Sequence, residues 1–240
     1  MMKQTNKLFF GLGNAKLKDR QIYTFSLPAG HSCPFAEECL SKADKVTGKI
    51  KDGPHMKFRC FAASQETIWT SVRNSRWHNY NLIRKLTIEP TVKLIQDSLP
   101  PKAEIIRVHV SGDFFNAAYF KAWMEVAGDN PNILFYAYTK CTSYMVKYKD
   151  LVPGNFILTA SYGGRNDHLI KEHRLKSARV VFSESEASEL GLEIDHDDSH
   201  AYDGYKSFAL LLHGIQPKDS PAATALRQMN KAGIKYSYAK

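Results

Sequence analysis

Three of the four cysteines lie close together in the first quarter of the sequence, and thiols are good metal ligands. Five residues separate Cys33 from Cys39, and twenty more separate Cys39 from Cys60. In a reducing compartment such a set predicts a metal site or a catalytic nucleophile before it predicts disulfides. Three thiolates can bind three irons of a [4Fe-4S] cluster, or a zinc ion that takes a further ligand. We interpret Cys141 as a buried thiol outside this metal-binding set.

Ser111, Gly112 and Asp113 follow an apolar, strand-like run and form a second group. A glycine lets the backbone approach a ligand closely, and a carboxylate can bind an amine or act as a base or nucleophile. The alternative is that Asp113 caps the next helix, a role for which Asn116 competes. We favour a functional role, because parallel α/β folds place their sites at the carboxyl ends of the strands.

Two later segments end in further polar groups. Thr139 and Lys140 close one apolar run, and Ser161 closes the next, two residues before Gly163 and Gly164. The hydroxyls can donate hydrogen bonds, the lysine suits phosphate or carboxylate, and a glycine pair that opens a helix can cradle an anion. The candidate catalytic residues are Asp113 and Lys140, and the candidate cofactor-binding residues are Ser111, Gly112, Asp113, Thr139, Ser161, Gly163 and Gly164.

Basic and aromatic residues share one face of a predicted helix. They are Arg73, Arg76, Trp77, Tyr80 and Arg84. Guanidinium groups suit phosphate contact and aromatic rings suit base stacking, so this face is a candidate nucleic-acid contact. The alternative is an amphipathic helix whose aromatic rings pack while its arginines face water.

Residues 195–200 include three aspartates and two histidines, and this composition resembles a metal-ligand cluster at first sight. The spacing follows no ligand rule, so we interpret this segment as a solvated acidic loop. His213, at the end of the last strand-like run, is the better site candidate.

The bulk composition predicts a soluble protein that binds a polyanion. Lysine and arginine exceed aspartate and glutamate by nine, and the pI is about 9.3. This surplus makes nucleic acid the first candidate partner, with DNA favoured. No apolar run reaches the roughly 18 residues of a membrane span, and the N-terminus lacks the features of a signal peptide. We therefore expect a cytoplasmic protein that does not bind membranes.

Strand-like and helix-like segments alternate through the second half of the chain. Strands are predicted at residues 21–27, 105–110, 133–139, 156–160, 179–182 and 208–213, and helices at 117–126, 143–148, 167–175, 184–190 and 222–231. Residues 60–98 have a helical pattern. This alternation predicts a parallel α/β sheet, either open and doubly wound or a partial (β/α)6 TIM-like barrel. We expect the barrel, as a single domain over residues 1–240 with a cysteine loop and helical insertion at about 28–100.

Taken in order, these groups resemble those of radical-SAM proteins. That family carries its cluster cysteines after the first strand, a Gly-Gly-Glu-type motif after the second and often a threonine-bearing motif after the third. Cys33, Cys39 and Cys60, then Ser111-Gly112-Asp113, then Tyr138-Thr139-Lys140 stand in those three places. The resemblance implies a [4Fe-4S] cluster and S-adenosylmethionine as cofactors. The chain differs in its longer cysteine spacing and in having Asp where the family has Glu.

Most of the chain also resembles the phage-encoded gene product 88 family. The shared features are the segments Ser-Leu-Pro-Ala-Gly-x-x-Cys-Pro, Phe-Arg-Cys, His-Val-Ser-Gly-Asp-Phe-Phe and Tyr-Thr-Lys. This resemblance implies a phage origin, hence the cytoplasm of a host cell, and little established function.

Two segments loosely resemble a third family, the tRNA-guanine transglycosylases. These are Ser-Gly-Asp-Phe-Phe and Tyr-Gly-Gly-Arg, and the resemblance implies that Asp113 contacts a base or attacks a sugar while the cysteines hold structural zinc.

We therefore expect an iron–sulfur enzyme, radical-SAM-like, that modifies a base of phage DNA or another nucleic acid. The first alternative is a transferase that inserts a 7-deazaguanine base into DNA. The second is a non-catalytic nucleic-acid-binding module whose metal is structural.

Overall fold

The structure is a computed structural model that describes residues 6–13 and 15–234 of the chain. Within them the strands are β1 (Phe10–Gly11), β2 (Ile22–Ser26), β3 (Ser41–Ala43), β4 (Ile50–Asp52), β5 (Ile105–Ser111), β6 (Leu134–Thr139), β7 (Phe156–Ser161), β8 (Ser177–Val181), β9 (Glu193–Ile194) and β10 (Phe208–Leu211). The α-helices are α1 (Ala15–Asp19), α2 (Phe61–Ile68), α3 (Thr70–Ile83), α4 (Ile88–Gln96), α5 (Ala117–Asp129), α6 (Thr142–Lys147), α7 (His168–Glu172), α8 (Glu184–Glu189), α9 (Ser199–Tyr202) and α10 (Pro221–Lys231). None of the helices in this part of the chain is long and apolar enough to cross a membrane.

Eight strands form one mixed sheet in which parallel pairing dominates. Their order is β1-β2-β5-β6-β7-β8-β10-β9, and β1 runs antiparallel to β2 while the other neighbours are parallel. The strands β2, β5, β6, β7, β8 and β10 lie side by side in chain order, with helical crossovers between them, as parallel pairs require, and β9 lies at the edge beyond β10. All six predicted strands belong to the sheet, so the predicted α/β class is correct.

Alternate residues of the strands face opposite sides of the sheet. Phe135 packs against Trp123 of α5, whereas its neighbour Tyr136 packs against Tyr202 of α9 on the other side. Each side carries its own buried apolar cluster. Because both faces are covered, the strands are the nearly continuous apolar runs that made them recognisable in the sequence.

The chain between β2 and β5 carries Cys33, Cys39 and Cys60, a small hairpin and three helices. Strands β3 and β4 pair antiparallel and form a separate two-stranded sheet. Helices α2, α3 and α4 follow, so the helical prediction for residues 60–98 is confirmed. The hairpin was not predicted, because each of its strands has only three residues and a central lysine.

A bulge redirects the end of β5 toward the cysteine loop. Phe25 of β2 pairs with Val108, but the next residue, Ser26, pairs with Ser111, so β5 carries two extra residues. The first of them, His109, has a φ of 67°, a backbone conformation that non-glycine residues rarely adopt. Bulges of this kind re-aim the side chains that follow them.

Gly112 stands where the end of β5 meets the cysteine loop. Its φ is 86°, and a Cβ atom there would lie 2.5 Å from Oγ of Ser32 and 2.6 Å from Cβ of Leu27. No larger residue fits without moving the loop that leads to the cysteines. The glycine is therefore required by the close approach of two chain segments.

His109 makes the stability of this fold depend on pH. Its ring is buried, and burial lowers the pKa of His109 to about 3, below the value of about 6.5 expected in the unfolded chain. The unfolded chain therefore binds a proton first as the pH falls. We expect the free energy of unfolding to be fully retained above pH 6.5 and to fall between pH 6.5 and 3, by on the order of 5 kcal/mol in total.

Urea unfolding of the wild type and of His109→Gln at a series of pH values tests this. In His109→Gln the free energy of unfolding should fall much less between pH 6.5 and 4.5 than it does in the wild type. His168→Gln, which changes an exposed imidazole, should show the same pH dependence as the wild type. Parallel curves for wild type and His109→Gln would contradict the assignment.

Candidate metal centre

Cys33 lies in the loop that follows β2, beside the other two thiols of the predicted set. The amide of Gly30 donates a hydrogen bond to its Sγ at 3.3 Å. Burial, and then the neighbouring Asp113, Cys60 and Cys39, raise the pKa of the Cys33 thiol well above its usual value. The cysteines predicted to act together are therefore close enough to influence one another electrostatically.

Cys60 stands at the N-terminus of α2. Burial and the nearby Cys39 raise the pKa of Cys60 to about 11, while the backbone amides of Ala62 and Ala63 and the charge of Arg76 act in the opposite direction. Amides that point at a sulfur are typical of thiolates that bind a metal. The donor set thus suits a metal centre in its chemistry.

The fourth cysteine has a different environment. Cys141 is fully buried, and its thiol donates to the carbonyl of Phe114 at 3.1 Å. This agrees with its interpretation as a buried thiol. Among residues 6–13 and 15–234, no three Cys, His, Asp or Glu side chains already stand in a metal-binding arrangement. The metal ligands Cys33, Cys39 and Cys60 therefore stay a prediction that rests on thiol chemistry.

A buried carboxylate that the sequence analysis missed joins the segments around the thiols. Oε1 of Glu66, on α2, accepts hydrogen bonds from the amide of Ala29 at 2.9 Å and from Oγ of Ser111 at 3.3 Å. Arg76 of α3 forms an ion pair with the same oxygen at 2.9 Å. Nothing in the local sequence singles out Glu66, because its partners lie on three separate segments.

The predicted nucleic-acid face of α3 needs correction. Arg73 and Arg76 are each only 5% exposed, so the expectation that both arginines face a ligand or water is wrong. Arg73 donates to the backbone carbonyls of Lys45 and Glu66, and Arg76 to that of Ala62 in addition to its ion pair. Both guanidinium groups are used to join α3 to the cysteine-bearing insertion.

The other three residues of that face remain at or near the surface. Trp77 and Tyr80 are half-buried, Arg84 is exposed, and its guanidinium lies 5.9 Å from the Tyr80 ring. Lys45, at the hairpin, lies 5.0 Å from the Trp77 ring. Nucleic-acid contact by these residues stays a prediction.

Asp113 links the ends of β5 and β6 and does not cap α5. Its Oδ1 accepts from Oγ1 of Thr139 at 2.6 Å and from the amide of Phe114 at 2.8 Å, and its Oδ2 accepts from the amide of Lys140 at 2.8 Å. The cap of α5 is Asn116. Asp113 is 4% exposed, and burial raises its pKa although these donors oppose the shift.

Lys140 makes a similar link between β6 and β7. Its Nζ donates to Oγ of Ser161 at 2.9 Å and to the carbonyl of Tyr162. The amides of Gly163 and Gly164, which we expected to cradle an anion, donate to the side chain of Asp167 at 2.8 and 2.9 Å. An anionic ligand would have to displace that carboxylate.

A cavity of about 230 Å³ opens beside Cys33. Lys42 and Arg165 contribute two cations to its wall, and Tyr80 and Phe115 contribute two rings, whose centroids lie 5.3 Å apart. No carboxylate stands among its lining residues. Tyr80 was predicted as a nucleic-acid contact, and the structure brings it into the same cavity as a predicted metal ligand.

The segment at residues 195–200 is not the solvated loop that the sequence indicated. Asp195 is 0% and Asp198 1% exposed. Asp198 forms an ion pair with Arg107 and accepts a hydrogen bond from the Tyr136 hydroxyl at 2.9 Å. Carboxylates are buried only when they are paired, and here strands β5 and β6 supply the partners.

A smaller cavity, of about 170 Å³, lies between this buried network and Cys60. Cys60, Arg107, Asp198 and His213 line it together. Burial, with Arg107 beside it, lowers the pKa of His213 to about 4. The structure thus places the site candidate His213 next to Cys60.

Comparison with known proteins gives a family but no solved relative. A family model described as Gene product 88 matches residues 2–232. The "Gene 88 protein" of Mycobacterium phage L5 is 30% identical over 128 residues, which cover 49% of this chain and 47% of that protein. The protein of the same name from Mycobacterium phage D29 is 28% identical over 128 residues, with the same coverage. The chain spans about half the length of these relatives, and no solved structure gives a significant match.

The hydrogen bonds of Asp113 give a prediction that separates its role from helix capping. In Asp113→Asn the new amide group must face at least one backbone or hydroxyl donor, so we expect a loss of about 1 to 3 kcal/mol in the free energy of unfolding. Asn116→Ala should cost about 1 kcal/mol through the lost cap. Denaturant unfolding measures both, and an Asp113→Asn variant as stable as the wild type would contradict this account.

Proposed function

This chain belongs to the gene product 88 family, and we propose that it is an iron–sulfur enzyme that modifies a base of nucleic acid, with DNA favoured. Cys33, Cys39 and Cys60 would hold a [4Fe-4S] cluster and leave one iron open. When bound, such a cluster supplies electron transfer or activation of a ligand at that open iron. The phage relatives support the host cytoplasm as the place of action.

The cavity beside Cys33 is the observation that carries this proposal. Its cations suit phosphate groups, its rings suit a stacked base, and it lacks carboxylates that would repel a polyanion. Cys33 forms part of its wall. A nucleotide in this cavity would therefore lie directly against the proposed metal centre.

The chain's own residues would tune and position the centre. Arg76 and the amides of Gly30, Ala62 and Ala63 favour the thiolate form, which is the form that binds metal. Glu66 fixes Arg76. This role for Arg76 replaces the direct phosphate contact that the sequence suggested.

The strand order supports a partial (β/α)6 barrel as the finer description of the sheet. Six parallel strands follow one another in chain order, as the strands of such barrels do. One face is covered mainly by α5, and the other holds the Asp198 network. In this arrangement the loops after β2, β5, β6 and β7 surround one site.

The matched proteins do not support the radical-SAM resemblance, so S-adenosylmethionine stays a prediction for Ser111, Gly112, Asp113 and Thr139. The transglycosylase alternative would need Asp113 to contact a base or attack a sugar. Three donors of the chain itself engage that carboxylate, and we therefore do not propose it.

The metal content of protein purified without oxygen tests the proposal. We expect iron and acid-labile sulfide in the wild type, and loss of both in Cys33→Ser, Cys39→Ser and Cys60→Ser. Because burial raises the thiol pKa values of Cys33 and Cys60, metal binding must release protons, and the affinity should fall as the pH is lowered.

Cys141→Ala is the matched control and should keep the full metal content. Stoichiometric zinc without iron after anaerobic reconstitution would instead support the non-catalytic module with a structural metal. Loss of metal in Cys141→Ala would indicate a closed four-cysteine site.

Salt-dependent binding tests the nucleic-acid partner. Lys42→Ala with Arg165→Ala removes both cations of the cavity, and each lost phosphate contact should lower the slope of log affinity against log salt by about 0.7 to 0.9. Binding should therefore weaken most at low salt, on single-stranded DNA and on RNA, with the metal content unchanged.

The matched control removes two exposed cations of α10, by Arg227→Ala with Lys231→Ala. It should bind as the wild type does. Equal salt slopes for the wild type and the cavity variant would show that this cavity does not contact the phosphate backbone.

A further inference from the structure

A second cavity, of about 310 Å³, lies at the ends of β7 and β8, and Gly163 and Asp167 form part of its wall. Its volume is at the lower end of the range of small-molecule sites. Its wall includes Tyr162, Arg179, Phe58, Phe182, Glu38 and Glu186. The cavity is therefore lined by rings, one guanidinium group, the ammonium group of Lys57 and carboxylates.

The rings and the guanidinium form two flat surfaces. Arg179 lies with its guanidinium carbon 4.0 Å from the centre of the Tyr162 ring. Phe58 and Phe182 meet edge to face, with centroids 6.3 Å apart. Within the described part of the chain, the Arg179 guanidinium makes no hydrogen bond or ion pair. Its five N–H groups therefore remain for a ligand.

Two carboxylates supply acceptors at the edge of the same cavity. Oε1 of Glu38 pairs with Lys57, and Oε2 of Glu186 accepts from the amide of Phe182 at 2.7 Å. Each carboxylate has a second oxygen that accepts no hydrogen bond from a described residue. With the half-buried Asp167, the wall has three carboxylates against the two cations Arg179 and Lys57, and this excess of negative charge disfavours an isolated phosphate here.

We propose that this cavity binds a nucleobase, and preferably one that carries an exocyclic amino group. The flat surfaces suit a planar heterocycle, the carboxylate oxygens accept from its amino edge, and Arg179 donates to its ring nitrogen or carbonyl. The ligand class rests on the proposed function. The base can belong to an extruded nucleotide of DNA or RNA, or to a free adenosyl cofactor.

Titration calorimetry with free nucleosides tests the cavity without requiring metal or polymer. Adenosine, cytidine and guanosine should bind at least about tenfold more tightly than thymidine, which lacks the amino group. Arg179→Ala and Tyr162→Ala should each weaken binding about tenfold, since stacking on one ring is worth roughly this factor. Glu38→Gln should weaken binding of the amino-bearing bases and leave thymidine unchanged.

Tyr162→Phe keeps the ring and Arg227→Ala changes an exposed arginine on α10, so both should bind as the wild type does. Binding of S-adenosylmethionine and of single-stranded oligonucleotides to the wild type and to Arg179→Ala identifies the source of the base. The ligand that binds Arg179→Ala more weakly than the wild type is the one whose base occupies the cavity. Nucleosides that do not bind, or that bind Arg179→Ala and Tyr162→Ala equally well when circular dichroism shows both folded, would overturn the inference. If iron is absent but nucleosides bind as described, the proposed metal centre fails and this cavity stands.

Discussion

The buried carboxylate of Glu66 holds together the segments that carry Cys33 and Cys60. It accepts hydrogen bonds from Ala29, at the entry to the first cysteine loop, and from Ser111, at the end of β5, and it pairs with Arg76. Glu66 itself lies on α2, which begins after Cys60. One side chain therefore fixes both cysteine-bearing segments against the sheet. Removing one partner of a buried pair typically costs roughly 3 to 5 kcal/mol, because the other charge stays buried.

Opposing electrostatic effects act on the thiols that this carboxylate positions. Burial and mutual proximity favour neutral thiols, whereas the backbone amides and Arg76 favour thiolates. A bound metal cation would favour the thiolate form, since a thiol that coordinates a metal is deprotonated. The same surroundings thus make the thiols of Cys33 and Cys60 poor nucleophiles without a metal and suitable ligands with one.

The sequence predicted what depends on local pattern and missed what depends on distant partners. Continuous apolar runs identified the six main strands, whereas the metal site that the cysteine spacing indicated stays a prediction. The helical period correctly grouped Arg73 with Arg76 but could not tell whether their face is buried. Asp198 was assigned to solvent because its partners, Tyr136 and Arg107, lie 62 and 91 residues away in the chain. Glu66 was not predicted as a site residue, because its partners also lie on other segments of the chain.

The cysteine loop lies between two cavities whose walls differ in charge. This difference determines which part of a nucleic acid each cavity of the proposed site would bind. Cys33 and Lys42 face the cavity without carboxylates, whereas Glu38 faces the one that contains three. A phosphate backbone is attracted to the first and repelled by the second, while the edge of a base can donate hydrogen bonds to the carboxylates of the second. A nucleic-acid strand would accordingly follow the side of α3 and the β3–β4 hairpin. Only an uncharged base, unstacked from its neighbours, would pass the loop toward Arg179, at an energetic cost of a few kcal/mol that is smallest for single-stranded substrates.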